Sequence, residues 1–276
     1  MFLNYEEKIS RRLIGYKKKL LFVLRKPCDN TLPVFIMGCG RSGTTMLLNA
    51  FHRDDRVEAL GENDPKISLN YMLMTDKLAL AIKYCKAPVL ISKPILNSFD
   101  ALMALKSYER AKIIWLLRDY KDMIASSIKM FGPVASGYMK NLVLFKKGDN
   151  WLSAGMPTET LEILSKLDST AFTDYDWMGL LWWSVNRTIM IDRLYESERL
   201  LLLKYEALVG DPNAVFRQVY EYIGLQYNNR ASKYVYASSV GRGAAIQLHA
   251  HVQEMCNNLA AEVNAIIRKT DMATIH

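Results

Sequence analysis

The residues best placed to do chemistry are Gly38-Cys39-Gly40-Arg41-Ser42-Gly43-Thr44-Thr45, which follow directly on the apolar run that ends at Met37. A strand that ends in a glycine-rich turn and continues into a helix aims backbone N–H groups and a positive helix end at an anion. Glycines in the turn let the backbone approach that anion closely. The spacing Gly38-x4-Gly43-x-Thr45 follows a Walker A phosphate loop in every place but one. The Lys that a Walker A loop carries before its final Ser/Thr, and uses on the β/γ-phosphates, is replaced by Thr44. Arg41 stands inside the turn instead and offers a planar fork to a 5′-phosphate. Arg41, Ser42, Gly43, Thr44 and Thr45 are therefore candidate phosphate-binding residues, and γ-phosphoryl transfer is disfavoured.

A second anion site is suggested by Lys112-Ile-Ile-Trp-Leu-Leu117-Arg118-Asp119, with Ser126 eight positions after Arg118. Arg118 leaves the end of an apolar strand and Ser126 falls two turns into the helix that follows. Both can converge on one phosphate.

Together these segments resemble the PAPS-dependent sulfotransferases, where PAPS is 3′-phosphoadenosine 5′-phosphosulfate and PAP its desulfonated product. The first loop is similar to the family's 5′-phosphosulfate loop, nearest the carbohydrate and tyrosylprotein branch and its bacterial small-molecule relatives. The cytosolic branch has a Tyr-Pro-Lys version. Arg118 and Ser126 resemble the 3′-phosphate segment. Some relatives carry a further Arg four residues after that Ser; here the position is Met130, with Lys129 and Arg242 as replacements. Leu203-Lys204-Tyr205-Glu206 through Gly224-Leu225 resembles the family's late strand and helix, and reads as fold evidence only. Ser238-Ser239-Val240-Gly241-Arg242-Gly243 looks like the late loop that folds over the nucleotide, which adds Ser239, Arg242 and Gly243 to the candidates. The matches reach from Pro33 to about Arg242, most of the chain.

The resemblance implies sulfuryl transfer from PAPS to a hydroxyl or amine, with PAP as product and no metal. Glu62, in Ala59-Leu60-Gly61-Glu62-Asn63, is similar to the base of the tyrosylprotein branch, with Asp64 as a nearby competitor. His52, a residue type that other branches use, falls in the first helix and is expected to face away. Lys93, at the end of Val89-Leu-Ile-Ser-Lys93-Pro94, matches the Lys that the family places beside the bridging oxygen. An ammonium there offsets charge on the leaving PAP.

The elements that must position these groups are legible as periodicity. Val34–Met37, Val89–Ile91, Ile113–Leu117 and Leu200–Leu203 read as buried parallel strands. Helices are predicted from Gly43–Thr45 through Phe51, over Asp119–Met130, Tyr175–Tyr195, Asn213–Ile223 and Gln247–Ile267. Strands alternating with helices imply a P-loop α/β fold, a three-layer α/β/α domain around a parallel sheet. Residues 31–276 read as one such domain, with 132–173 as a lid or substrate-facing insertion containing helical pieces. The Trp182–Trp183 pair reads as packing.

Composition limits the partners. The net charge is +8, but residues 1–26 alone carry eight Lys/Arg against two acids, so the rest is nearly neutral. A basic helical segment over 1–30 that packs on the domain or touches a membrane surface is expected, and a nucleic-acid-binding face on the core is not. Its longest apolar run, Leu20–Leu24, is too short for a signal peptide or a membrane span. Four isolated cysteines show no metal-ligand spacing and suit reduced thiols. The expectation is a cytoplasmic enzyme acting on a small molecule of secondary metabolism. The run Asp174-Tyr-Asp176-Trp177, with Glu159 and Glu162, suggests a cationic acceptor, and the resemblance to cyanobacterial relatives offers a guanidinium alkaloid of the saxitoxin type as one example. Two alternatives stay open: a P-loop small-molecule or nucleotide kinase, and a non-catalytic nucleotide-binding protein.

Overall fold

The computed structural model describes residues 18, 20–145, 152, 155–235 and 240–273. The main strands are β1 (Leu32–Met37) and β2 (Val57–Leu60), then, after a small antiparallel hairpin of β3 (Ser68–Leu69) and β4 (Met72–Leu73), β5 (Val89–Ser92), β6 (Lys112–Leu117) and β7 (Leu200–Lys204). They form one parallel sheet in the order β2-β5-β1-β6-β7. Helix α1 (Thr44–Phe51) follows β1 and α2 (Thr75–Lys83) precedes β5. A 3₁₀ turn (Ile95–Asp100) and α3 (Ala101–Ser107) precede β6. Next come α4 (Tyr120–Phe131), α5 (Pro133–Phe145), α6 (Thr158–Ser165) and α7 (Asp174–Ile191). After β7 lie α8 (Tyr205–Gly210), α9 (Pro212–Tyr222) and α10 (Ala250–Ala273).

The apolar strands are apolar throughout because both faces are covered. On one face Val34 and Ile36 of β1, Ile114 and Leu116 of β6 and Leu203 of β7 pack with Leu47 and Phe51 of α1 and Phe216 and Tyr220 of α9. On the other, Phe35, Met37, Ile113 and Trp115 pack with Met123 of α4, Met139 of α5, Trp177 and Leu180 of α7 and Val252 of α10. Each such side chain contributes about 1.5–3 kcal/mol by leaving water, so the two half-cores hold the sheet as a rigid platform.

The structure departs from the sequence reading at a few boundaries. The sheet has a fifth strand, β2, whose Val-Glu-Ala-Leu pattern is broken by a charge; as an edge strand it pairs only with β5 and tolerates Glu58. Helix α4 begins at Tyr120 because Asp119 is its cap, its side chain accepting from the Asp122 N–H at 3.0 Å. Helix α10 begins at 250, not 247. Helix α7 is buried nearly all round, so its apolar residues form no single stripe.

Residues 1–17 and 19 of the expected basic segment lie outside the described residues. What is described of it sits against the end of α1. Lys18 Nζ donates to the carbonyls of Phe51 (3.5 Å) and His52 (3.4 Å), and Arg25 pairs with Asp55 at 2.8 Å. Among the described residues, no helix is long and apolar enough to cross a membrane.

Candidate active site

In a parallel sheet every strand ends on the same side, so the residues following β1, β5 and β6 share one edge. Because β1 lies between β5 and β6, its loop has Lys93 on one flank and Arg118 on the other.

The loop is held from both flanks. The Gly38 N–H donates to Ser98 Oγ at 3.1 Å, and that hydroxyl lies 2.9 Å from the Gly38 carbonyl, which ties the start of the loop to the 3₁₀ turn after β5. Gly38 has φ +128°, and a Cβ there would lie 2.5 Å from the Leu116 carbonyl oxygen. Gly43, with φ +91°, has the Tyr205 ring where its Cβ would be, at 2.5 Å. Both positions therefore require glycine. Arg41 is left-handed at φ +66°, a conformation that costs a non-glycine residue about 1–2 kcal/mol. Arg118 Nη1 donates to the Arg41 carbonyl at 2.9 Å, which helps to hold that turn. The buried Cys39 thiol is pushed up to about 12 by desolvation, so it stays protonated and unreactive at neutral pH.

Between this loop, α4 and α8 lies a cavity of about 650 Å³. Arg41, Gly43, Thr44, Thr45, Arg118, Ser126 and Arg242 all line it, together with Lys129, Met130 and Tyr205. Seven of the sequence candidates thus meet at one place. Arg41 Nε donates to Ser126 Oγ at 3.2 Å, which joins the glycine loop to α4. Lys129 and Arg242 are both present on the wall where Met130 replaces an expected Arg. Four cations face one carboxylate, Asp122.

Other candidates fall elsewhere. Ser42 is fully buried behind the loop, and its Oγ has no hydrogen-bond partner. Gly243 lies behind the wall, where a Cβ would come within 2.1 Å of the Lys121 carbonyl carbon. Ser239 and Ser238 are outside the described residues. Glu62 and Lys93 do not line this cavity; they form an ion pair on the β5 flank, with the Lys93 side chain only 4% exposed and Glu62 30%. His52 is exposed at the end of α1.

Within the acidic run, Asp176 is not open to a cation, while Asp174, Glu159 and Glu162 are exposed. Asp176 is buried as a helix cap, accepting from Thr173 N and Oγ1, both at 2.7 Å, and from the His249 N–H at 2.6 Å. Asp174 accepts from Ser136 Oγ at 2.6 Å, and Glu159 pairs with Arg187. These acids tie α7 to its neighbours. Among the described residues, no group of three metal-ligating side chains is present.

The whole arrangement lies within a region, residues 32–269, that matches the sulfotransferase domain family. The chain belongs to that family. Solved structures with a similar fold include the sulfotransferase domain of the Synechococcus PCC 7002 olefin synthase, at 16% identity and TM-score 0.50, covering 87% of this chain and 96% of that one. A sulfotransferase from Alicyclobacillus acidocaldarius aligns at 13% identity and TM-score 0.47, covering 86% and 94%. A mouse sulfotransferase complexed with PAP aligns at 19% identity and TM-score 0.42, covering 76% and 64%. No curated protein sequence matches significantly.

Three residues at or behind this cavity escaped sequence reasoning. Tyr205, taken as fold evidence only, lines the cavity, and the Arg118 guanidinium lies 4.4 Å from its ring centre. Trp182 donates its indole N–H to the Arg118 carbonyl at 3.0 Å. Trp182 is tied in turn to Asn186, whose Nδ2 donates to the Trp182 carbonyl and whose Oδ1 accepts from Trp115 of β6, both at 2.9 Å. Asp122 is the third, and both its oxygens hold the late loop. Only Asp122 carried a local signal, one helical turn after Arg118.

Proposed function

We propose that this sulfotransferase takes its sulfuryl group from PAPS and passes it to a hydroxyl or amine of a small-molecule acceptor. The observation that carries the reading is the two-part anion site: a glycine loop that opens a helix, joined through Arg41 and Ser126 to a second cluster of Arg118, Lys129 and Arg242. A nucleotide with phosphates on both its 5′ and 3′ positions fits such a pair of sites; a triphosphate would instead ask for a Lys where Thr44 stands, 3% exposed.

In this reading the loop N–H groups and Arg41 hold the 5′ side, and Arg118, Ser126 and Arg242 hold the 3′-phosphate. PAPS supplies an activated sulfuryl group. Glu62 accepts the proton of the attacking hydroxyl or amine, and the Lys93 ammonium stabilises the negative charge that grows on the leaving oxygen. The ion pair keeps both side chains at one place, and the burial of Lys93 excludes water that would weaken its field. No nucleic acid is involved.

Calorimetric titration with PAP, with AMP and ATP as controls, tests the reading. Binding of PAP that is lost without the 3′-phosphate supports it. Equal binding of PAP and ATP returns a P-loop kinase to first place.

A further inference from the structure

Asp122 is the one carboxylate on a cavity wall that otherwise carries four cations. It is 3% exposed. An ionised carboxylate only accepts hydrogen bonds, and here each oxygen is given to the backbone of a loop about 120 residues further along the chain. Oδ2 accepts from the Gly241 N–H and Oδ1 from the Gly243 N–H, both at 2.7 Å. Its nearest cation in the wall, Arg118, keeps Nη2 at 3.9 Å from Oδ2, beyond hydrogen-bond reach. The strong, directed contacts of Asp122 are thus those to the loop.

The two clamped glycines bracket Arg242, an exposed residue that nevertheless lines the cavity. Gly243 fits only because it lacks a Cβ, being packed directly on the Lys121–Asp122 peptide. Gly241 is in the left-handed region, at φ +77°. Loop and helix are therefore fitted backbone to backbone, with the carboxylate as the fastener.

We propose that Asp122 is a positioning residue that fastens the 240–243 loop to α4 and so holds Arg242 over the nucleotide cavity. It acts through Arg242 and not on the nucleotide directly. The inference rests on the PAPS reading for its functional consequence, but the fastening exists without nucleotide.

Two measurements test it, one of them independent of any ligand. Residue-resolved amide exchange by NMR on the nucleotide-free protein reads the fastening. Gly241 is exposed, and an exposed loop amide exchanges fast unless it is bonded. Protection at both Gly241 and Gly243 in the wild type, lost at one or both in Asp122→Asn, is expected, since Asn keeps one acceptor oxygen and turns a donor on the other N–H. Unprotected amides in the wild type overturn the proposal even if the variant fails to fold.

The second is a cycle of PAP dissociation constants for wild type, Asp122→Asn, Arg242→Ala and the double variant. Asp122→Asn should weaken PAP roughly tenfold or more, the scale of one charge-assisted hydrogen bond. Adding it to Arg242→Ala should then cost little more, because the side chain it positions is gone. Fully additive losses overturn the positioning role. If the wild type binds no PAP while both amides are protected, the PAPS reading fails and the fastening stands.

Discussion

Arg118 is clamped between two aromatic residues: its guanidinium lies 4.4 Å from the centre of the Tyr205 ring, and its carbonyl accepts the Trp182 indole N–H at 3.0 Å. The Arg118 side chain is thus held before any anion arrives. Arg118→Ala should weaken PAP by roughly 1.5–3 kcal/mol, the value of a charge-assisted contact. Tyr205→Leu should cost a smaller amount, about 0.5–2 kcal/mol, by removing the aromatic face. Calorimetry on both variants checks this, and unchanged PAP affinity in Arg118→Ala removes the 3′-phosphate assignment.

The Glu62–Lys93 pair lies outside the cavity proposed to hold PAP, so binding and turnover should separate. Glu62→Gln should leave PAP affinity within about twofold and cut kcat by roughly 10²–10⁴. Lys93→Met should also spare PAP affinity and lower kcat by about 10²–10³. A steady-state assay with labelled PAPS measures both. Near-wild-type turnover in Glu62→Gln means that another group takes the proton.

Gly43 tests the loop by shape alone. Gly43→Ala forces a Cβ to within 2.5 Å of Tyr205 at a φ of +91°. PAP binding should fall by at least about tenfold, while far-ultraviolet circular dichroism stays native, since the strain is confined to the loop. Binding unchanged from the wild type contradicts the loop's role.

Away from the site, Asp54 makes stability depend on acid. Burial by itself would raise its carboxyl, but hydrogen bonds from the Arg56 side chain and backbone and from the Tyr220 hydroxyl outweigh this and hold it down at about 2. A group whose folded value is depressed stabilises the fold above its unfolded value near 3.8 and loses that contribution as pH falls towards 2. Asp54→Asn should lower stability at pH 7 by roughly 1.5–3 kcal/mol, and the gap between variant and wild type should close below about pH 3. Urea melts at several pH values measure it, and a constant gap rules out this account.

The sequence by itself determined the local parts of this protein. The glycine loop is contiguous, and its glycines are set by the turn it makes, so the strand–turn–helix of Gly38–Thr45 was readable without a fold. Four of the five parallel strands were readable as well, since burial on both faces leaves an unbroken apolar run, whereas β2 was not, because an edge strand can carry Glu58. Arg118 and Ser126 share a strand end and the helix after it, a second local relationship. The tertiary structure alone decided the rest. It closed Asp122 on the amides of Gly241 and Gly243, set Tyr205 against both Gly43 and Arg118, and ran the Trp115–Asn186–Trp182 bonds from the sheet to the Arg118 carbonyl. It also buried Asp176 as the cap of α7, and it tied the exposed Asp174 to Ser136 and the exposed Glu159 to Arg187. The physical reason is the same in each case. A side chain's partner across the chain is chosen by which strand ends and helices the sheet order brings together, and spacing along the sequence carries no record of that choice.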